Sequence, residues 1–236
     1  MLNLLDSMEH HWSAYGFYAP AIGDYARSSI MSWRGSKEFN SLLQLIEPYE
    51  LRDRLTMPKY IINASGDEYF LPDSWRFYYT QLSGRSYLRY VPNADHSLKG
   101  SDSLDSIISF HYAIAHDKEF PSVRWEAKTS GHLSAWSNVQ PTKVTLWTAF
   151  NEKARDFRVE SVGKIWKPKI LTPDLKGHYS TQIKIPNEGW KACIIEFTFE
   201  DEEFPVPITL STGTQIFPDF LPFDFESGEK KLRPDF

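Results

Sequence analysis

The chain has 236 residues, is 41% hydrophobic and 15% aromatic, and carries a net charge of -5. That length and composition can bury a sizeable core in one large or two small domains, while the intermixed charges leave no basic stripe for nucleic acid. A single cysteine excludes an internal disulfide, no apolar run approaches the ~20 residues of a membrane-spanning helix, and the amino terminus lacks the basic start and apolar centre of a signal peptide.

Residues 6–46 read as helix, interrupted at Gly16, Pro20 and Gly35. Trp12, Tyr15 and Tyr18 recur at near-helical spacing, which marks a packed face; in a cap over a cleft they would line a pocket. His10 and His11 are adjacent, roughly 100° apart on a helix, and so cannot easily share a metal. No Cys/His cluster or H-E-x-x-H pattern occurs elsewhere, so neither a metal nor a cofactor is expected. Residues 47–58 form a charged connection in which Arg52, Asp53 and Arg54 pair with each other or with solvent.

The chemistry-bearing stretch follows. A β-branched run at 59–63 stops at Ala64-Ser65-Gly66-Asp67, and a second run at 87–91 stops at Pro92-Asn93-Ala94-Asp95-His96. Residues 72–82 between them read as a helix, so a parallel strand pair with a helical crossover is expected, with Asp67 and His96 at its carboxyl-terminal edge. Taken alone, Asp67 reads as a turn carboxylate; taken with His96 after the next strand, it can hold the imidazole in the tautomer that takes a proton from a serine, so Asp67 would be the orienting acid and His96 the general base. Glu68 and Asp73 are rival acids. Asp67 comes first after its strand and is preferred, while Asp95 reads as a turn residue.

Ser101-Asp102-Ser103 caps a further helix, and Leu104, Ile107, Ile108, His111, Ile114 and Ala115 fall on one face that would cover the sheet, with His111 a core histidine. From residue 120 the periodicity changes to short alternating runs at 123–128, 133–136, 144–150, 157–161, 179–185, 192–199 and 208–217. About seven strands in about a hundred residues argue for a small antiparallel β-sandwich of immunoglobulin or fibronectin III type. Cys193 alternates with Ile195, Phe197 and Phe199 and reads as a small core residue. Trp125, Trp136, Trp147, Trp166 and Trp190 fall in the same half and read as packing residues; a row of exposed ones would suit a carbohydrate or protein contact.

The segments MLNLLDSMEHHWSAYGFY, EPYELRDRLTMPKYIINASGDEYFLPDS and YLRYVPNADHSL resemble the PhoPQ-activated pathogenicity-related family, whose fold is α/β-hydrolase-like. The resemblance implies an α/β class: the carboxyl-terminal part of an α/β-hydrolase domain with a helical cap segment at 1–119, the β-sandwich at 120–223 and a loosely ordered polar tail at 224–236. Residues 1–4 would be the tail of a sheet strand. Members carry their nucleophilic serine on an elbow upstream of the segment where this chain starts, and no G-x-S-x-G occurs here. Asp67 and His96 are then two members of a catalytic triad of esterase or peptidase type whose nucleophile is missing from this chain. The substrate would be a small molecule or a peptide. The alternative, since the family includes a secreted repressor of proliferation, is a non-catalytic binding or signalling protein with a protein partner. The family's export suggests a secreted or periplasmic setting.

Overall fold

The computed structural model describes residues 4–225. Helix α1 (Leu4–Tyr15) ends at Gly16, whose φ of 76° lies in the left-handed region that glycine adopts freely. Leu4 thus opens a helix rather than closing a strand. Helices α2 (Gly23–Arg27) and α3 (Lys37–Ile46) follow, joined through 3-10 turns at Pro20–Ile22 and Ile30–Trp33. Ser36 caps α3 by accepting from the Phe39 amide at 3.1 Å. Trp12 and Tyr18 pack with Met8, Met31 and Phe225, and Tyr15 with Ala14 and Leu71, so these rings build core rather than line a cleft. Phe225, the second residue of the expected loose tail, is instead anchored at 4% exposure; residues 226–236 of that tail lie outside the described residues.

Strands β1 (Lys59–Ala64) and β2 (Ser86–Val91) pair in parallel, Lys59 opposite Ser86 and Ala64 opposite Val91. The crossover between them is not the expected helix but two 3-10 turns, Ser74–Phe77 and Tyr79–Gln81. Its polar groups bond outward to the rest of the fold. The Asn63 side-chain amide donates to the Tyr78 hydroxyl at 3.1 Å, Tyr79 donates to the Ser86 carbonyl at 2.9 Å, and the Trp75 indole donates to the Thr214 carbonyl at 2.9 Å. These contacts override the weak helix propensity of a segment rich in aromatic residues.

Helix α4 (Ser103–Ala115) is also turned the other way from expectation. It buries Ser106, Ser109 and Ala113, while Leu104, Ile107, Ile108 and Ile114 are 62%, 46%, 38% and 50% exposed. His111 is exposed as well, not a core histidine. Small side chains let the helix approach the strands beneath it, and Arg89 of β2 holds that face by donating to the Ser106 hydroxyl and pairing with Asp102 at 2.5 Å. The Asp102 carboxylate consequently serves Arg89 and makes no cap bond.

From Val123 strands dominate the regular structure: β3 (Val123–Ala127), β4 (His132–Ser137), β5 (Lys143–Asn151), β6 (Lys167–Ile170), β7 (Tyr179–Gln182), β8 (Trp190–Phe199), β9 (Ile208–Ser211) and β10 (Gln215–Phe217). They form two antiparallel sheets, ordered β3-β4-β7 and β10-β8-β5-β6, with β9 also paired to β8. The run at 157–161 is not a strand; it leads into the short helix α5 (Val159–Val162). Strand β6, Lys-Pro-Lys-Ile, lacks the apolar alternation that would reveal it. The run at 208–217 splits at Gly213, where an added Cβ would lie 2.2 Å from the Trp75 ring.

Leu133, Ala135 and Tyr179 of one antiparallel sheet meet Leu146, Cys193, Ile195 and Phe197 of the other, in a core that also takes in Tyr87, Ala113 and Phe120. Ala192 and Ile194, on the opposite face of β8, pack with Leu88, Tyr90, Phe157 and Trp166. The fold is therefore a mixed α/β one whose two main cores run across residue 120. Burial pushes the Cys193 thiol up to about 12, as befits a small core residue.

Candidate active site

The turns that leave β1 and β2 are zipped together by backbone bonds. The Ser65 amide donates to Val91 and the Gly66 amide to Ala94, both at 3.0 Å, and the Asn93 amide donates to the Ser65 hydroxyl at 3.0 Å. Asn93 sits at φ 59°, and its side chain exchanges two bonds with the Trp166 backbone, at 2.9 and 3.0 Å, which fixes the reversal leading to His96. Gly66 is needed for close approach. A Cβ there would meet Val159 Cγ2 at 2.5 Å, because the first residue of α5 rests on this turn and its amide donates to the Gly66 carbonyl at 2.9 Å.

This zipper brings the two predicted site residues into contact. His96 Nδ1 lies 2.9 Å from Asp67 Oδ2. The other carboxylate oxygen, Oδ1, accepts from the Tyr69 amide at 2.7 Å and the Phe70 amide at 3.0 Å, so the carboxylate is clamped on both oxygens. Burial pushes the Asp67 carboxyl above its ordinary range, and the bonds from His96, Tyr69 and Phe70 pull it part of the way back. The Asp67 side chain is 6% exposed and that of His96 is 45% exposed. The imidazole is held by Tyr69, ring centroids 4.5 Å apart, and edge-on by Phe70 at 5.6 Å. With Nδ1 committed to Asp67, Nε2 is the nitrogen left to exchange a proton with a bound group.

The rival acids are engaged elsewhere. Glu68 accepts from the backbone amide of His96 at 3.1 Å, and Asp95 accepts from the amide and hydroxyl of Ser97 at 3.0 and 2.6 Å. Asp73 is buried against Arg155 at 2.5 Å and His10 at 3.3 Å. Ser65 is buried with its hydroxyl engaged by Asn93, and Ser97 is tied to Asp95. Neither lines the cavity of about 320 Å³ into which Asp67 and His96 open. Its walls are Phe70, Tyr78, Asn63 and the hydroxyl-bearing Ser7 and Ser74, together with the apolar residues Ile61, Ile62, Ala64 and Leu98.

Sequence reasoning missed one supporting residue. His11 Nε2 lies 2.6 Å from the Tyr69 carbonyl, and burial lowers its pKa to about 4, so a neutral imidazole donates to the back of the turn that clamps Asp67. The contact joins α1 to a loop far along the chain, and nothing local in the sequence signals it. His10, its neighbour, faces Asp73 instead. Among the described residues no group of three or more His, Cys, Asp or Glu is placed to hold a metal ion.

A family model described as PhoPQ-activated pathogenicity-related protein matches residues 1–158, both turns and the whole Asp67–His96 pair included. The chain belongs to this family. The PhoPQ-related match ends at the threshold of α5, so β6 to β10 lie beyond it. Autocrine proliferation repressor protein A of Dictyostelium discoideum is 32% identical over 251 residues, an alignment covering 94% of this chain and 50% of that protein. The PhoPQ-related chain thus spans about half the length of the curated relative it matches. A solved carbohydrate-binding module family 56 β-1,3-glucan-binding domain aligns with 42% of this chain and 99% of its own at 9% identity and a TM-score of 0.24, a likeness too slight to carry an argument.

Proposed function

We propose that Asp67 and His96 are the orienting acid and general base of a serine-hydrolase-type site acting on an ester or peptide bond. The observation that carries the reading is the 2.9 Å contact from Asp67 to His96 Nδ1, with Asp67 clamped from behind and His96 half-exposed at a cavity. In that role Asp67 keeps the proton on Nδ1, and Nε2 takes the proton of an attacking serine and returns it to the leaving group. The nucleophile comes from polypeptide outside this chain, docked against β1, whose residues Ile61 to Ala64 form one wall of the cavity. On this reading the β1–β2 unit is the final parallel pair of an α/β-hydrolase sheet, residues 1–119 are its domain, and the antiparallel sheets at 120–223 form the immunoglobulin- or fibronectin III-like sandwich.

The test is labelling with a fluorophosphonate serine-hydrolase probe, on this chain alone and on a form carrying the additional segment that the relative's unmatched half represents. The expected result is labelling only of the longer form, reduced about 10²–10⁴-fold by His96→Ala. Labelling that persists in His96→Ala, or a folded longer form that never labels, overturns the reading.

The relative's name, an autocrine proliferation repressor, favours a second reading, a secreted signalling protein that uses the same scaffold without catalysis. Under that reading His96→Ala leaves growth-repressing activity intact. Under the first it removes any activity that depends on hydrolysis.

A further inference from the structure

We propose that the free edge of β3 pairs with β3 of a second copy of this chain, in antiparallel register centred on Trp125. Strand β3 ends its sheet, which is ordered β3-β4-β7. The bonds that flank the β3–β4 ladder, from the Lys128 amide to the His132 carbonyl at 2.8 Å and from the Asn138 amide to the Ser122 carbonyl at 3.3 Å, set its phase. Arg124 and Glu126 therefore exchange backbone bonds with Trp136 and Ser134, their partners in the register. Val123, Trp125 and Ala127 direct their N–H and C=O groups away from β4, and no described residue bonds them on that side. Such a row of alternating donors and acceptors is the complement of another strand.

The side chains choose the occupant and its register. Arg124 and Glu126 are exposed on one face of β3 and take part in no ion pair among the described residues. When Trp125 lies opposite its own copy, Arg124 faces Glu126 of the other chain on both sides of the two-fold axis, and Val123 faces Ala127 on the other face. A slip of two residues either way puts Arg124 opposite Arg124, or Glu126 opposite Glu126 with Arg124 opposite Lys128. A slip of one turns the charged side chains onto the apolar face. Of these registers the centred one sets opposite charges opposite and apolar residues together across a closed two-fold contact.

The surroundings leave room for it. An open cavity of about 750 Å³ runs along this edge, bounded by Trp75, Tyr79, Trp125 and Gln215. Trp75 stands edge-on to Trp125 at 5.4 Å, and Tyr79 stacks on it at 5.8 Å, so the Trp125 ring is already ordered where the second copy meets it.

Light scattering across a dilution series of the whole chain tests the proposal. The wild type is expected to dimerise, more weakly at high salt. Arg124→Glu and Glu126→Arg each place like charges opposite one another and raise the dimer dissociation constant about tenfold or more. The exchanged double variant, Arg124→Glu with Glu126→Arg, restores the wild-type value. Both positions are exposed, so circular dichroism spectra stay unchanged and loss of dimer is not loss of fold. A wild type that stays monomeric at every soluble concentration overturns the proposal, as does a dimer indifferent to the single variants or not rescued by the exchange. A monomer whose tryptophan emission responds to a capped alternating Val-Thr hexapeptide, or to cellohexaose, assigns the edge to another partner and overturns it too.

Discussion

Replacing Arg155 with alanine destabilises the chain by about 3–5 kcal/mol, because it leaves a carboxylate buried without its counter-charge. Arg155 and Asp73 are 0% and 1% exposed, and they meet through two bonds at 2.5 and 3.4 Å. Burial by itself would raise the Asp73 carboxyl; Arg155, His10 and Arg76 together hold it well below the usual carboxylate range instead. Arg155 lies between β5 and α5, Asp73 lies in the crossover and His10 on α1, so the substitution also unties three segments that surround the candidate site. Urea denaturation measures the loss. Arg155→Met combined with Asp73→Asn loses less than the sum of the single variants, since the pair is removed together. A loss under about 1 kcal/mol for Arg155→Ala would show that the pair adds nothing.

Mild acid produces the second large effect. Burial lowers His10 and His11 from 6.5 to about 4; for His10, Asp73 opposes the shift and Arg155 adds to it, and for His11 the Tyr69 carbonyl opposes it. Between about pH 6.5 and about 4 the unfolded chain therefore binds protons at both imidazoles that the folded chain refuses. Stability is full above that window and falls through it as the pH drops, by a few kcal/mol for each histidine. Asp67, whose carboxyl is raised by burial, works in the opposite direction at the acid end. Melting temperatures measured from pH 7 to pH 4.5 should fall steeply, and His10→Gln with His11→Gln should flatten the slope. A wild-type profile already flat over that range contradicts the burial of two neutral imidazoles.

Much of this architecture is legible in the sequence alone. Two β-branched runs, each ending in a polar turn, specified the parallel pair and placed Asp67 and His96 at one edge, since strand direction and turn position are local properties. The antiparallel strands were equally plain wherever apolar residues alternate, as in β5 and β8. What failed depended on tertiary partners. The crossover segment is drawn into 3-10 turns by bonds to Asn63, Ser86 and Thr214. Helix α4 turns its small face inward because Arg89 reaches Ser106 and Asp102, leaving outside the aliphatic stripe that periodicity assigned to the core. The bond from His11 to the Tyr69 carbonyl and the pairing of Asp73 with Arg155 join positions far apart in sequence, and no pattern in one chain encodes such a meeting.

On the proposed reading Asp67 fixes the His96 imidazole with its proton on Nδ1 and a free lone pair on Nε2. Nitrogen-15 correlation spectra of the imidazole ring at neutral pH read that tautomer directly. A protonated Nδ1 and an unprotonated Nε2 are expected at His96, with the preference weakened or reversed in Asp67→Asn. A His96 ring protonated on Nε2 in the wild type, or one that Asp67→Asn leaves unaltered, would contradict it.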